Sequence, residues 1–291
     1  MTRRLDLDPF EACRPRLISI AYRMLGERSA AEDVVQDAWL RWQSVDTSKV
    51  INAEAWLTRA TTRIAIDALR KIRTRREHYI GPWLPEPILD DPGTDFTERL
   101  EISQEAELAL LWAMESLKPE ERAALILRDA FDTDYGAIAA ALDRSVAACR
   151  QLVSRARRKT ETMRYVPDVS NEAVMELLAA LLKANASGDV DRIAALLASD
   201  VVAISDGGGK VRAALRPLYG AAETAQVMHA LAERKPPSRM PDFVMINGRP
   251  AIAILDGGEG DFITTILPSA TQAGRIGWIY TMRNPDKMQR P

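Results

Sequence analysis

From about residue 10 to His78, and again from Leu108 to Tyr165, apolar residues recur every three to four positions with no run of strict alternation. That spacing predicts two groups of helices. Between them, Ile80–Glu105 breaks the pattern. IGPWLPEP at 80–87 sets Trp83 and Leu84 among Pro82, Pro85 and Pro87, and LDDPGTD follows with turn-forming residues. A helix does not accept prolines so close together, and a free tether has no use for a tryptophan and a leucine. The stretch reads as a linker that something binds. After PDVS at 167–170 the texture changes. Two or three helices from Asn171 lead into period-two segments. VVAISDGGGKVRAAL reads as strand, glycine turn and strand, and DFVMINGRPAIAILD carries Asn247-Gly248 between apolar runs, a strong hairpin signal. FITTILP and IGWIYTMR add two more strands. Helices followed by a curled antiparallel sheet predict an α+β domain. The expected organisation is a helical domain at 1–79, a linker at 80–105, a second helical domain at 106–166 and the α+β domain at 171–291.

Composition narrows the class. A chain of 291 residues, 47% apolar and 27% charged, has room for two or three ordinary globular domains. Cys13 and Cys149 lie far apart without metal-ligand spacing, as expected of a reduced, cytoplasmic protein. MTRRLDLDPFEACRPRL lacks the apolar core of a signal peptide. VMELLAALLKANA is too short, and too broken by Lys183, to span a bilayer. A soluble protein with no membrane partner is expected. The net charge of −2 hides strong local asymmetry, which carries more information.

Three helical stretches carry candidate chemistry. In AAEDVVQDAWLRWQSV, Val35, Ala38, Trp39 and Trp42 form one apolar stripe, leaving Asp33, Gln36, Asp37 and Leu40 on the opposite face. A leucine ringed by carboxylates and an amide suits a basic partner, although single exposed leucines are common. INAEAWLTRATTRIAIDALRKIRTRRE starts at a plausible cap, Asn52, and spreads Arg59, Arg63, Arg70, Lys71, Arg73, Arg75 and Arg76 along a helix with Asp67 nearly the sole counter-charge. Such a surface attracts phosphates; the plainer reading is neutralisation by the acidic linker, Asp90–Glu105. DYGAIAAALDRSVAACRQLVSRARRKTE reads as a helix-turn-helix. Tyr135, Ile138 and Leu142 form a short apolar face, Asp143-Arg144 the turn, and Ser145 a cap. Val146, Cys149, Val153 and Ala156 form the second helix's core stripe. Arg144, Ala148, Gln151, Arg155 and Arg158 face outward, with Ser154 at the margin, small enough for close approach and long enough to reach bases or phosphates.

In this order, these pieces resemble a bacterial extracytoplasmic-function sigma factor of the sigma-70 family. AEDVVQDAWLRW looks like the core-binding helix of sigma domain 2, AWLTRATTRIAIDALRKIR like its promoter −10 segment, and KPEERAALILRDAFDTDYGAIAAALDRSVAACRQLVSRARRK like sigma domain 4, the −35 reader. The resemblance implies that Asp33, Gln36, Asp37 and Leu40 dock on the β′ clamp helices of core RNA polymerase, with domain 4 on the β flap. It also implies that Arg59, Arg63, Asp67, Arg70, Lys71 and Arg73 serve −10 DNA, and Arg144, Ala148, Gln151, Ser154, Arg155 and Arg158 serve −35 DNA. The chain departs from the pattern at Arg63, where many relatives have Asn, at Asp143, often Gly, and at Leu152, often basic. WLPEP, DGGGKV at 206–211 and NPDKM at 284–288 resemble the subgroup with a fused C-terminal SnoaL-like cone, which is thought to regulate in place of a separate anti-sigma protein. Trp83, Leu84 and Pro85 are then expected to dock on Asp206, Gly207, Lys210, Asn284, Asp286 and Lys287.

Other readings of the C-terminal domain are open, since such cones also host isomerases and small-ligand binders. His229, Asp200, Asp206, Asp256, Asp261 and Tyr280 are the acid/base candidates, but no nucleophile–base pair can be picked out by spacing. GGGK is not a phosphate loop, because Lys210 is followed by Val211. No catalysis, cofactor or metal is expected. A small-molecule ligand of the cone, and a ligand-responsive DNA-binding regulator instead of a sigma factor, are the alternatives.

Overall fold

The computed structural model describes residues 9–89, 108–164, 169–234 and 239–288, and it divides into two compact units. Among described residues the first holds 9–77 and 110–162, and the second holds 78–89, 108–109 and almost everything from 163 onward. The WLPEP stretch thus belongs to the C-terminal unit, whereas the acidic Asp90–Glu105 lies outside the described residues.

In the first unit, α1 (Pro9–Leu25), α2 (Arg28–Gln43) and α3 (Ala53–Arg76) pack around Leu17, Ile20, Tyr22, Met24, Leu57 and Leu69. The Asn52 carboxamide oxygen accepts from the Ala55 amide at 2.9 Å and so starts α3. Then come α4 (Leu108–Ala113), which enters this unit at Leu110, α5 (Pro119–Leu125), which runs into a π turn at Ile126–Ala130, α6 (Tyr135–Leu142) and α7 (Val146–Arg164), which leaves it after Thr162. The α6–α7 pair is the helix-turn-helix. Asp134 caps α6, and Asp143 takes a left-handed conformation at φ 55° that ends it. Ser145 Oγ then accepts from the Ala148 amide at 3.2 Å. Cys149, Val153 and Ala156 are buried as expected, but Val146 is not. It is exposed in the first turn, and the core stripe instead runs on to buried Thr160.

The second unit comprises α8 (Asn171–Ser187), α9 (Val190–Leu196), β1 (Leu197–Asp206), β2 (Leu218–Tyr219), α10 (Ala221–Arg234), β3 (Asp242–Ile246), β4 (Arg249–Ile254), β5 (Phe262–Pro268) and β6 (Ile276–Met282). Its sheet runs β2-β1-β6-β5-β4-β3. Val174, Leu178, Leu181, Ile193, Val201, Ala203, Ile252, Ile266 and Ile279 build one core between helices and sheet. Asn247 (φ 48°) and Gly248 (φ 74°) turn the β3–β4 hairpin as the dipeptide predicts.

Two expectations are corrected here. The sheet is mixed, because β1 lies parallel to β6, with Val202 opposite Trp278 and Asp206 opposite Met282. The chain from β1 to β6 includes α10 and the β3–β5 meander, ample length for the return crossing that parallel pairing requires. The residues after the glycines also form no full strand. The Lys210 and Val211 amides both reach back to the Gly207 carbonyl, at 3.0 and 3.2 Å. Having curled on itself, the chain rejoins the sheet only at Leu218–Tyr219.

Candidate polymerase, promoter and strap-binding sites

On α2, Val35, Ala38 and Trp42 are buried and Trp39 is half-buried, while Asp33, Gln36, Asp37 and Leu40 all face outward. Leu40 is 53% exposed. Gln36 also borders a groove of about 250 Å³ between α1 and α2, lined by Glu11, Glu32 and Trp39.

The cations of α3 differ from one another. Arg59 and Lys71 are exposed. Arg70 pairs with Asp67 at 2.8 Å and with Glu120 of α5 at 2.5 Å. The Arg63 Nε–H donates to the Ala141 carbonyl of α6 at 3.1 Å, with Asp143 4.0 Å from its Nη2. Arg73 donates to the Glu115 carbonyl at 3.1 Å. Glu115 itself joins Arg76, at 2.8 Å, to the fully buried Arg122. Burial alone would raise the Glu115 carboxyl, but the guanidinium charges of Arg122 and Arg76 prevail and hold it below the usual carboxylate range. Burial pushes Arg122 itself downward, against the pull of Glu115. In the turn before α7, Arg144 is exposed, and on α7 Gln151, Ser154, Arg155 and Arg158 are exposed and Ala148 is half-exposed, so all six −35 candidates reach the surface. Arg155 also lies 3.9 Å from buried Glu121, which pairs with Lys159 at 2.8 Å.

In the second unit, Tyr79–Leu89 forms a strap across the sheet face opposite the helices. Asp206, the last residue of β1, is completely buried and gathers the strap's first half. Its Oδ1 accepts from the Tyr79 hydroxyl at 2.6 Å, and its Oδ2 accepts from the Leu84 amide at 2.9 Å and from Lys287 Nζ at 2.7 Å. Lys287 Nζ also donates to the Leu84 carbonyl at 2.7 Å, and lies 4.2 Å from the Trp83 ring centre and 5.1 Å from that of Tyr79. One ammonium thus holds a carboxylate, a carbonyl and two aromatic faces in a place nearly closed to water, where cation–π attraction is worth about 2 kcal/mol. Asn284 donates to the Tyr79 oxygen at 2.9 Å. At the far end, the Ile88 amide donates to the Asn247 side chain at 3.0 Å, and the Ile88 carbonyl accepts from the Asn247 amide at 2.9 Å. Between these ties Leu84, Pro85 and Pro87 pack toward Ile246, Ile263, Tyr280 and Met282, leaving a void of only about 10 Å³. That is room for one water at most. Burying Leu84 contributes roughly 1.5–3 kcal/mol.

The glycines serve close approach. A Cβ on Gly208 (φ 61°) would lie 2.4 Å from the Asn284 side chain, and one on Gly209 (φ 71°) 2.9 Å from Ile80. Gly207 shapes the turn, its absent Cβ facing the Val211 carbonyl. Of the nine residues expected to meet here, Trp83, Leu84, Asp206 and Lys287 touch directly, Asn284 acts through Tyr79, and Pro85 packs under the strap. Lys210 and Asp286 instead form an exposed pair at 2.6 Å that ties the glycine turn to the C-terminal motif. Sequence reasoning missed Tyr79 and the Asn247 side chain. Tyr79 directly precedes the quoted stretch, and Asn247 had already been assigned to its turn.

Asp200 is exposed, and the other five acid/base candidates of the cone have structural partners of their own. Asp206 holds the strap, Asp256 pairs with Arg239 at 3.0 Å, and Asp261 accepts from loop amides. His229 lies 3.4 Å from Glu233, and Tyr280 stacks on Trp278. Among the described residues, no helix is long and apolar enough to cross a membrane and no group of acidic, histidine and cysteine side chains could hold a metal.

A helical unit with an outward-facing helix-turn-helix and a basic helix, joined to an α+β cone, is the architecture of a promoter-reading initiation factor with an appended domain. Residues 9–76 match the family model of sigma-70 region 2, and residues 107–160 that of sigma-70 region 4. The chain is 34% identical to the ECF RNA polymerase sigma factor SigJ of Mycobacterium tuberculosis, over 97% of its own length and 93% of that protein's. The crystal structure of SigJ matches with a TM-score of 0.77 at 31% identity, covering 96% of both chains. A probable ECF sigma factor, SigI, of the same species is 31% identical over 65% of each chain. The chain belongs to the ECF sigma factors of bacterial RNA polymerase, which direct the core enzyme to promoters, and its C-terminal domain is a SnoaL-like cone.

Proposed function

We propose that this sigma factor docks on the polymerase β′ clamp helices through Asp33, Gln36, Asp37 and Leu40, follows the melted −10 strand with α3, and sets α7 into the −35 major groove. Domain 4 would meet the β flap. Nucleotidyl transfer is the core enzyme's; this chain supplies position and sequence. On α7, phosphate contacts fix register, and Gln151 with its arginine neighbours reads bases. Arg59, Lys71 and their neighbours follow the single strand's backbone, which makes binding salt-dependent.

The fused cone regulates this activity by holding the strap. In sigma factors generally, the segment between domains 2 and 4 threads toward the polymerase's active-site and RNA-exit channels. A strap clasped by Asp206 and Lys287 is withheld from those channels, so the regulator travels in the same chain and no separate anti-sigma protein is needed. The observation that carries this reading is the Lys287 ammonium, bonded at 2.7 Å to both Asp206 and the strap's Leu84 carbonyl. Prolines pre-set the extended backbone and so reduce the entropy lost on docking.

Run-off transcription with core polymerase on a random promoter library tests it. The full chain and a truncation ending near Pro167 are both expected to bind core and initiate. Trp83→Ala and Lys287→Met in the full chain are expected to raise transcript yield several-fold and to make the strap sensitive to protease. Failure of every form to bind core would sink the polymerase assignment. A protease-sensitive strap with unchanged transcription would sink the regulatory part alone.

A further inference from the structure

We propose that Glu121, a buried carboxylate of α5, is a positioning residue that aims Arg155 of α7 at a guanine of the −35 element. This rests on the assignment of α7 to the −35 major groove given above. Four arginines of α7 stand in different settings. Arg150 lies over the Tyr135 ring, 5.4 Å from its centre. Arg157 is tied down, its Nη2 and Nε donating to the two oxygens of Asp129 at 2.6 and 3.3 Å. Arg158 is exposed, and among the described residues no ion pair holds it. Arg155 is intermediate: its side chain is 52% exposed, yet its Nε lies 3.9 Å from Oε1 of Glu121.

Glu121 is fixed by the fold. It is 3% exposed and is the third residue of α5, where its Oε2 accepts from the Lys118 amide at 3.0 Å and so closes a capping box. The same oxygen accepts from Lys159 Nζ at 2.8 Å. Lys159 follows Arg155 by one turn on the same flank of α7, and Leu152, one turn before, brings no charge there. A surface arginine samples many rotamers, and a base contact must offset their loss. A fixed carboxylate on the Nε side narrows that choice before DNA arrives and leaves the Nη1–Nη2 end pointing elsewhere. That end is a planar pair of donors, which matches O6 and N7 of guanine in the major groove. At 3.9 Å the contact is longer than a hydrogen bond, so it restrains the guanidinium without using up its donors. The carboxylate's charge also subtracts from the pull of Arg155 and Lys159 on phosphates, so general affinity is exchanged for selectivity.

Glu121→Gln separates this role from a structural one, because glutamine at the third helical position keeps the capping box while removing the charge. The test uses holoenzyme reconstituted from the full chain and core polymerase. It is bound to a promoter library randomised across the −35 element, and the bound fraction is sequenced. The parent is expected to select a guanine at one position, and Arg155→Ala and Arg155→Lys to lose that preference alone. Glu121→Gln is expected to weaken the same preference about ten-fold, the scale of one bidentate base contact, while binding an unrelated duplex more tightly. Added to Arg155→Ala, it is expected to change no base preference further. A guanine preference that survives Glu121→Gln but not Arg155→Ala overturns the proposal and leaves the promoter assignment standing. A fall for every duplex alike marks a merely structural role and overturns it too. So does a loss of selectivity that Glu121→Gln still causes without Arg155, or an Arg155-dependent preference for a base other than guanine. A parent that binds core yet selects no −35 sequence sinks the assignment of α7 itself.

Discussion

Lys287 concentrates the energetics of the strap in one atom. It is 8% exposed beside an Asp206 with no exposure at all, so each charge depends on the other. Lys287→Met is expected to strand the carboxylate and to cost roughly 3–5 kcal/mol, the usual penalty for breaking a buried pair from one side. Asp206→Asn combined with Lys287→Met is expected to cost clearly less. Denaturant unfolding followed through tryptophan fluorescence, in a background where Trp83 is the one tryptophan kept, distinguishes the two, and equal losses would show that the pair is not coupled. Gly208 sits under a second constraint, its positive φ and the Asn284 amide 2.4 Å from where a Cβ would stand. Gly208→Ala is expected to lower the melting temperature and to release Asn284 from Tyr79.

At the scale of elements, the proposed promoter roles of α3 and α7 differ. Along α7, Arg158→Ala is expected to weaken promoter binding evenly across sequences and to reduce the salt slope by about one. Gln151→Ala is expected to relax the base preference at one −35 position at a cost of ~1–3 kcal/mol. Fluorescence anisotropy on matched and mismatched duplexes, over a salt series, reads both quantities. The start of α3 depends on one cap, and Asn52→Ala is expected to cost about 1 kcal/mol. Much of this scale was legible in advance. The period-3.6 stripes separated buried Val35, Ala38 and Trp42 from exposed Leu40, and Asn247-Gly248 located a hairpin, because both signals act within a few residues. Val146 was misplaced because period alone does not say where a helix outruns its neighbour. VRAAL was misread as a strand because a strand needs a ladder partner, and none meets it before Leu218.

Across the whole molecule, pH bears most directly on the first unit. Glu115, Glu120 and Glu121 are all held below the usual carboxylate range despite partial burial. Their cationic partners are Arg122 and Arg76 for Glu115, Arg70 for Glu120, and Lys159 for Glu121. A carboxylate depressed in the folded state binds fewer protons there than when unfolded, so its contribution is present in full above the unfolded value near 4.5 and is lost as pH falls through the folded value. Thermal unfolding between pH 7 and pH 3 should therefore show stability flat at the upper end and falling below about 4.5. Stability that rises on acidification would contradict the assigned pairs.

The sequence by itself determined the parts that depend on near neighbours. These are the helix faces of α2 and α7, the caps at Asn52 and Ser145, the β3–β4 turn, and the likeness of residues 10–160 to sigma domains 2 and 4. Each follows from periodicity, turn chemistry or a local run of residues, which act over one or two turns of chain. Tertiary structure alone decided which distant groups meet: the parallel pairing of β1 with β6, the gathering of Tyr79 and Leu84 by Asp206 and Lys287, and the claim of Glu115, Glu120 and Ala141 on the basic helix. A basic residue's charge is written in the sequence, but its partner is chosen by packing. That is why Arg63 could be read as a DNA contact from the chain and is found bonded to a helix end in the fold.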